Sequence, residues 1–309
     1  MSNTLYVHGG KLDSSNQFSY NSAPNTNDLL ALDLSSPFLL SNPPWRVVMG
    51  SDIPSSSQGP AVSFHTLTAF SRDGILAFGG SGGPPMPIET YPDSAWLLAN
   101  LTDPSGPIWF AQPSGWANEP MRRIYHAATA VDGNVWITGG EKADGSSLGF
   151  NTTYQYVPAG PSSSDSFNPM ASGIPDMIGH GSVLLANGTL VLFGGYSPSR
   201  YAMLPLSQLW MFDTTSPSSS WTLVSVSGTI PSLRRNFAYA LLDGSKVLIH
   251  GGSDASIQSA FSDGAILDLG SRLWADASGI SSMLGPRHDH MAVGLGSQVM
   301  FAFGMHSAT

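Results

Sequence analysis

The sequence predicts an all-β fold built from repeated sheets. Three observations predict it: a composition rich in turn formers, glycine pairs that recur along the chain, and paired apolar segments before each glycine pair. The 309 residues include 34 Gly and 23 Pro, and only 11% are charged. Such a composition favours short strands joined by turns. We therefore expect few helices.

The glycine pairs divide the chain into repeats. Successive pairs are 53 to 70 residues apart, and a period of this length indicates an array of similar supersecondary units. Five pairs are complete, and a sixth copy is degenerate. They are Gly9-Gly10, Gly79-Gly80, Gly139-Gly140, Gly194-Gly195, Gly251-Gly252 and the weaker Gly304-Met305.

The segments before the glycine pairs predict two strands joined by a tight turn. Dipeptides such as Asn-Gly and Asp-Gly at these turns are strong hairpin signals, because both residues tolerate positive φ. The predicted turns are Asp73-Gly74, Asp132-Gly133, Asn187-Gly188, Asp243-Gly244 and, in the last copy, Gly296-Ser297. The first copy begins at its second strand, and the last copy stops after its second strand.

A third and a fourth strand follow each glycine pair. The third strands are predicted at 27–34, 94–101, 207–214 and 263–270. The fourth strands carry an aromatic residue, which is Trp45, Trp109, Trp221, Trp274 or, in the weaker copy, Phe167. Four antiparallel strands per repeat, arranged radially, form the blade of a β-propeller.

Double glycine, a polar loop, a "DLxxLD"-like strand and a spaced tryptophan resemble the kelch repeat. The resemblance implies a kelch β-propeller over residues 1–309 as a single domain. We expect six four-stranded blades with the first and last incomplete; the alternative is a seven-bladed propeller truncated at its ends. On this reading the glycine pairs are structural, because the chain turns sharply there and neighbouring blades leave no room for Cβ atoms.

The pattern is also similar to fungal kelch proteins grouped with the galactose-oxidase central domain. Enzymes of that group need a cysteine cross-linked to a tyrosine, and this chain has no cysteine. The copper-radical activity is therefore excluded, and we expect neither a metal nor a cofactor.

One histidine recurs near the start of the first strand in four repeats, at His65, His126, His180 and His290, and Phe237 takes its place in the fifth. A residue that repeats in one register favours a packing role within each blade. His288 and His290 would share one strand face, but the sequence shows no third ligand for a metal.

Arginines before the first strands are the main candidates for ligand contact. By the resemblance they flank the entry to the central channel, where arginine side chains could bind carboxylates or phosphates. The alternative is that they pair with carbonyls and acids of their own blade. The candidate ligand-binding residues are Arg122, Arg123, Arg234, Arg235 and Arg287, with Tyr125, Phe237, His288, Phe64 and Met177 beside them.

The charge and the surface motifs bear on partners and location. A net charge of −9 with only 12 basic residues argues against nucleic-acid binding. No apolar run has the length of a membrane span; whether an anchor lies outside the chain is left open. Sequons at Asn100, Asn151 and Asn187 favour an extracellular or cell-surface protein, although no signal peptide is visible. We expect a monomer.

These observations support a non-catalytic binding module whose loops contact a protein or a glycan, because variable loops on a rigid scaffold are a common way to bind. The alternative is a cofactor-free lyase, cyclase or epimerase that uses arginine and histidine side chains at the channel mouth. A third interpretation is a galactose-oxidase-like product without activity.

Overall fold

A computed structural model describes most of the chain. The described residues are 3–13, 17–18, 22–50, 58–82, 95–103, 105–111, 120–131, 133–159, 165–170, 172–216, 218–296 and 298–305. Two of the predicted turns fall partly outside them, at Asp132 and Ser297. Helical residues in the described part are confined to a 3-10 turn, Ser278–Ile280, and the single-turn helix α1, Ser281–Leu284.

The first two blades differ in strand number, as the sequence predicts. The first has three antiparallel strands, in the order β1-β2-β3, and the second has four. The strands are β1 (Thr4–His8), β2 (Leu29–Asp33), β3 (Arg46–Met49), β4 (Val62–Ala69), β5 (Gly74–Gly82), β6 (Ala95–Ala99) and β7 (Ile108–Ala111).

The third and fourth blades each have four strands and a small two-stranded sheet at the end where the first strand begins. The third consists of β8 (Arg123–Ile124), β9 (Ala127–Val131), β10 (Asn134–Thr138), β11 (Glu141–Lys142), β12 (Thr153–Val157) and β13 (Ser166–Pro169). The fourth consists of β14 (Gly181–Leu184), β15 (Thr189–Phe193), β16 (Tyr196–Ser197), β17 (Ala202–Met203), β18 (Gln208–Asp213) and β19 (Thr222–Ser225).

The fifth blade gains an extra outer strand from the connection that precedes it. Its strands are β20 (Ser227–Gly228), β21 (Ala238–Leu242), β22 (Lys246–His250), β23 (Gly264–Asp268) and β24 (Leu273–Asp276), and β20 pairs parallel with β24. A C-terminal hairpin of β25 (Met291–Leu295) and β26 (Gln298–Ala302) follows. The five blades and this hairpin are the six units counted in the sequence.

The core lies between the blades. Four buried clusters each join one blade to the next, for example Leu98 and Trp109 with Leu29 between the first two blades. The innermost strands contact their neighbours in turn, β4 with β9, β9 with β14, β14 with β21 and β21 with β25. The prediction of an all-β propeller is confirmed. Its turns are less regular than expected, because both residues have positive φ at Asp243-Gly244 but neither has at Asp73-Gly74.

Candidate functional site

A cavity of about 650 Å³ opens where the innermost strands begin and the second strands end. Residues from every blade and from the C-terminal hairpin line it, so it surrounds the propeller axis. The lining includes Val7, His8, Lys11, Leu12, Asp28, Leu30, Ser63, Phe64, Tyr125, Gly179, Asn236, Phe237, Asp289, Met291, Phe303 and Met305.

Much of this cavity occupies the place where the first blade would have an innermost strand. Among the described residues β1 pairs with β2 alone, whereas the second strand of every other blade has a partner on each side. The cavity wall therefore includes Val7 of β1 and Leu30 of β2. A Cβ on Gly10 would meet no atom within 4 Å, although one on Gly140 would meet the His126 Cβ at 2.8 Å.

The glycine pairs are required where blades meet. The first glycine of each complete pair has φ between +62° and +71°. A Cβ on Gly79, Gly139 or Gly251 would collide with a carbonyl oxygen of the next blade and press on the histidine ring of that blade. In the second to fifth blades the second glycine lies against the start of the innermost strand of its own blade. This confirms the structural interpretation of the pairs.

The degenerate sixth pair is Phe303-Gly304, so the assignment to Gly304-Met305 is wrong by one residue. Phe303 has φ of +61°, like a first glycine, and Gly304 has φ of +85°, like a second one, next to the His290 Cβ. Phe303 packs on Trp45 of the first blade, with ring centroids 5.6 Å apart. A phenylalanine fits here because the described part of the first blade has no innermost strand to collide with its Cβ.

A ring of left-handed residues forms the floor of the cavity. Each one precedes the repeat histidine or its Phe237 counterpart, with φ between +52° and +59°. Backbone bonds link the ring from blade to blade: Gly179 N donates to Tyr125 O, Asn236 N to Gly179 O, and Asp289 N to Asn236 O, each at 2.9 Å. The frame thus holds one residue from each of the second to fifth blades, Phe64, Tyr125, Gly179 and Asn236, and Asp289 from the C-terminal hairpin unit, and all of them except Gly179 carry a side chain.

The repeat histidines join neighbouring blades. His126 Nε2 lies 2.9 Å from Thr66 Oγ1, and His180 Nε2 lies 2.9 Å from Thr138 Oγ1. Burial lowers the pKa of His180 to about 3 and that of His65 to about 4, so both are neutral. Burial, helped by the charge of Arg123, also holds the pKa of His126 well below its ordinary value.

Two of these contacts join one histidine to another. His65 Nε2 lies 3.3 Å from His8 Nδ1, and His290 Nε2 lies 2.9 Å from His250 Nδ1. In the fifth blade, where Phe237 replaces the histidine, the facing residue of the fourth blade is Phe193, stacked at 5.8 Å. The chain therefore matches polar with polar and apolar with apolar at its blade interfaces, which supports the packing role predicted for this position.

Two of the predicted arginines are buried inside their own blades, and a third, Arg287, is half-buried at the C-terminal hairpin. Arg123 and Arg234 are 1% and 0% exposed. Their Nη1 atoms donate to the carbonyls of Gly139 and Gly251, at 2.8 and 3.0 Å, and Arg287 Nη1 donates to Phe303 O at 3.4 Å. These arginines therefore brace the start of the innermost strand against the end of the second strand. None of them lines the cavity, in agreement with the alternative in which they pair within the blade.

Each buried guanidinium also has a second kind of partner. Arg234 forms an ion pair with Asp263, 2.8 Å away, and lies over the ring of Phe261. Arg123 lies 4.2 Å from the Phe150 ring centroid, and burial lowers its pKa to about 10. The partners of both guanidinium groups therefore belong to the same blade as the arginine itself.

The remaining predicted residues divide into lining and support. Phe64, Tyr125 and Phe237 line the cavity. Arg235 lies behind the ring, over Tyr125, and His288 Nδ1 bonds the Asp289 carboxylate at 2.7 Å. Two further predicted residues, Arg122 and Met177, are buried away from the cavity.

Three of the ring residues, Gly179, Asn236 and Asp289, were not predicted from the sequence as site residues. The available signal was their register, since each stands one residue before the repeat histidine or Phe237. Their types differ in every copy, which hides them from a search for repeated residues. In the described part of the chain no three His, Asp or Glu side chains converge as metal ligands.

The three sequons lie on the surface to different extents. Asn151 and Asn187 are exposed, and Asn100 is partly buried. Glycosylation at these residues stays a prediction. Within the described residues, the helical turns form no segment with the length and hydropathy of a membrane span.

Comparison with known proteins identifies the repeat. A model of the KLHDC2/KLHL20/DRC7 kelch-repeats domain matches residues 162–305, slightly less than half of the chain. The chain folds as a kelch-repeat β-propeller. The kelch match covers the fourth and fifth blades and the C-terminal hairpin, and the same blade contacts continue through the first three blades.

The kelch chain is also similar to parts of longer proteins. It is 26% identical to adagio-like protein 1 of Oryza sativa subsp. japonica, over 76% of this chain and 36% of that protein. It is 27% identical to multiple epidermal growth factor-like domains protein 8 of Homo sapiens, over 68% of this chain and 8% of that protein. The chain thus spans about a third of the length of the adagio-like relative. The specific similarity to galactose-oxidase-like proteins stays a prediction.

Proposed function

We propose that this kelch propeller is a non-catalytic module that binds a protein partner at the cavity on its axis. The observation that carries the proposal is the ring of five left-handed residues. Left-handed conformations of non-glycine residues cost energy and concentrate at functional sites. Here a backbone frame shared by the blades fixes them, while their side chains vary, which is the arrangement expected of a recognition surface.

The histidines favour binding over catalysis. His126 and His180 are neutral, buried and held by hydroxyl groups of the preceding blade, so they stabilise the ring rather than transfer protons. A protein is favoured over a glycan because the aromatic side chains Phe64 and Tyr125 pack on each other, with centroids 4.8 Å apart. Each ring therefore covers part of the face of the other, and less ring surface is left for a sugar to stack on.

A photo-crosslinker placed at Leu12 tests this function. Leu12 lines the cavity and is 52% exposed, while Leu223, on an outer strand, is 47% exposed and serves as the matched control. Crosslinks to one defined protein from Leu12 but not from Leu223, reproduced with that protein purified, are the expected result. Equal labelling at both positions, or none at Leu12, would contradict the proposal.

We also propose an extracellular or cell-surface setting, which rests on the sequons at Asn100, Asn151 and Asn187. Protein purified from its native source should then lose mass when treated with an N-glycosidase. An unchanged mass would count against this setting and leave the binding proposal unaffected.

A further inference from the structure

We propose that the partner binds as a short extended segment that pairs with the edge of β1 that has no partner strand among the described residues, and fills the inner place of the first blade. This rests on the proposed function and specifies how the partner is held. The partner is a strand of four to six uncharged, small or apolar residues, antiparallel to β1.

The free edge of β1 can be located residue by residue. Gly9 N donates to Asp28 O at 3.0 Å, and Leu34 N donates to Asn3 O at 2.7 Å. In an antiparallel pair the residues bonded to one neighbour alternate with those directed to the other side. The N–H and C=O groups of Thr4, Tyr6 and His8 therefore point away from β2, toward the side on which His8 lines the cavity.

These groups form a docking edge beside the open cavity. In the complete blades the corresponding groups bond an innermost strand, as Trp136 does opposite Thr129. Val7 and Leu30 contribute apolar wall behind the edge, and Met291 faces it from the C-terminal hairpin. A partner segment would supply the missing backbone bonds and cover this wall at the same time.

The repeats themselves show which residues suit this place. The innermost strands β9, β14, β21 and β25 read AATAV, GSVL, AYALL and MAVGL, and none contains a charged residue. Each runs antiparallel to the second strand of its blade. Because a strand in the first blade would also have neighbours on both faces, a charged segment would lose its hydration there without a partner charge.

Phe303 limits how far the segment extends and distinguishes a partner from a regular blade strand. In the complete blades the second glycine donates to a carbonyl of the next blade, three residues before the repeat histidine of that blade, as Gly140 N does to Met177 O at 2.8 Å. This carbonyl lies where a Cβ on the first glycine would be. Phe303 stands at the position of a first glycine, so its side chain occupies the space that such a carbonyl needs. A regular innermost strand would collide with Phe303, whereas a segment that begins beside His8 would not.

Synthetic peptides give the test. A capped hexapeptide with the sequence of residues 126–131, HAATAV, is titrated into the protein by fluorescence polarisation. By equivalence with β9, its second, fourth and sixth amides face β1. N-methylation of the second residue should weaken binding about tenfold, because a bond to β1 is lost and the methyl group collides. N-methylation of the third residue, also alanine, should change it less than about twofold.

Hydrogen exchange identifies where the peptide lies. The amides of Tyr6 and His8 should exchange more slowly when the peptide binds, and those of Leu5 and Val7 should change little, since β2 already holds them. Failure of the hexapeptide to bind, equal effects of the two methylations, or binding without protection of Tyr6 and His8 would overturn strand addition. The crosslinking result from Leu12 would still decide the proposed function separately.

A second variant tests the limit set by Phe303. A nonapeptide with the sequence of residues 123–131 should bind the natural protein no more than about twofold better than the hexapeptide. In Phe303→Gly the nonapeptide should bind about tenfold better than the hexapeptide, provided that a thermal melt shows the variant folded. A large gain already in the natural protein would refute the steric argument.

Discussion

Lowering the pH from 7 to 5 should destabilise the propeller strongly, because buried histidines between its blades are held neutral. His126, His180 and His290 are 4 to 7% exposed. Burial lowers the pKa of His180 and of His290 to about 3. The pKa of His126 is held well below its ordinary value by burial and by Arg123.

The direction follows from proton binding. In the unfolded chain each histidine titrates near pH 6.5. In the folded protein His180 and His290 take up a proton only near pH 3, and the pKa of His126 is lowered in the same direction. Between these two values the unfolded state binds more protons, so the free energy of unfolding falls as the pH falls. The contribution of each histidine is complete above about pH 6.5 and is lost progressively below it.

The magnitude is about 1.4 kcal/mol per histidine for each pH unit within this window. From pH 7 to pH 5 one such histidine therefore costs about 2 kcal/mol, and His180 and His290, whose pKa is about 3 in the folded protein, together cost about 4 kcal/mol. Domains are typically stable by about 5 to 15 kcal/mol. The loss is thus a large fraction of the free energy of unfolding of a typical domain.

Urea unfolding at a series of pH values measures this dependence. The matched control is Thr138→Phe/His180→Phe, which copies the stacked Phe193–Phe237 pair of the next interface. On unfolding between pH 5 and pH 6.5, the double variant should take up about one proton fewer than the natural protein. Its free energy of unfolding should therefore fall by about 2 kcal/mol less between pH 7 and pH 5. An unfolding free energy that does not change between pH 7 and 5, or a double variant with the natural slope, would show that these histidines do not couple stability to pH.

Two further predictions concern the blade contacts, both measured by denaturant unfolding at pH 7. Arg234→Ala should cost about 2 to 5 kcal/mol, because it removes a fully buried side chain and leaves the buried carbonyl of Gly251 without its donor. Lys142→Ala, at a partly exposed pair on the surface, should cost less than about 1 kcal/mol. Similar losses in the two variants would count against a bracing role. Gly139→Ala should cost about 1 to 3 kcal/mol more than Gly145→Ala. Both glycines have positive φ, but only a Cβ on Gly139 would collide with neighbouring atoms. Equal costs would mean that the close contact between Gly139 and the next blade is not needed for stability.

The fold was predictable because the repeats mark it with residues of special geometry. Glycine at positive φ and close approach is irreplaceable in the complete pairs, so Gly139-Gly140 and its counterparts are visible in the sequence. The same logic explains the error at the last pair. Phe303 adopts the glycine conformation where a collision is absent, and a phenylalanine gives no sign of a left-handed backbone.

The site was less predictable, because its geometry depends on the backbone of other blades. Arg123 and Arg234 have the charge expected of ligand contacts, but their partners include the carbonyls of Gly139 and Gly251, which carry no sequence signal. The ring residues Asn236 and Asp289 line the cavity because each stands one residue before the repeat position, and the kind of residue found there differs from repeat to repeat. The sequence did indicate that the first repeat begins at its second strand, and among the described residues the cavity lies beside that strand.

Amide hydrogen exchange of the free protein, followed residue by residue by NMR, tests the central claim most directly. If the inner edge of β1 is a vacant binding edge, the amides of Tyr6 and His8 should exchange at least tenfold faster than those of Leu5 and Val7, which are bonded to β2. Equal protection of all four amides would show that the edge is already paired, and would contradict the account of the cavity as a binding site.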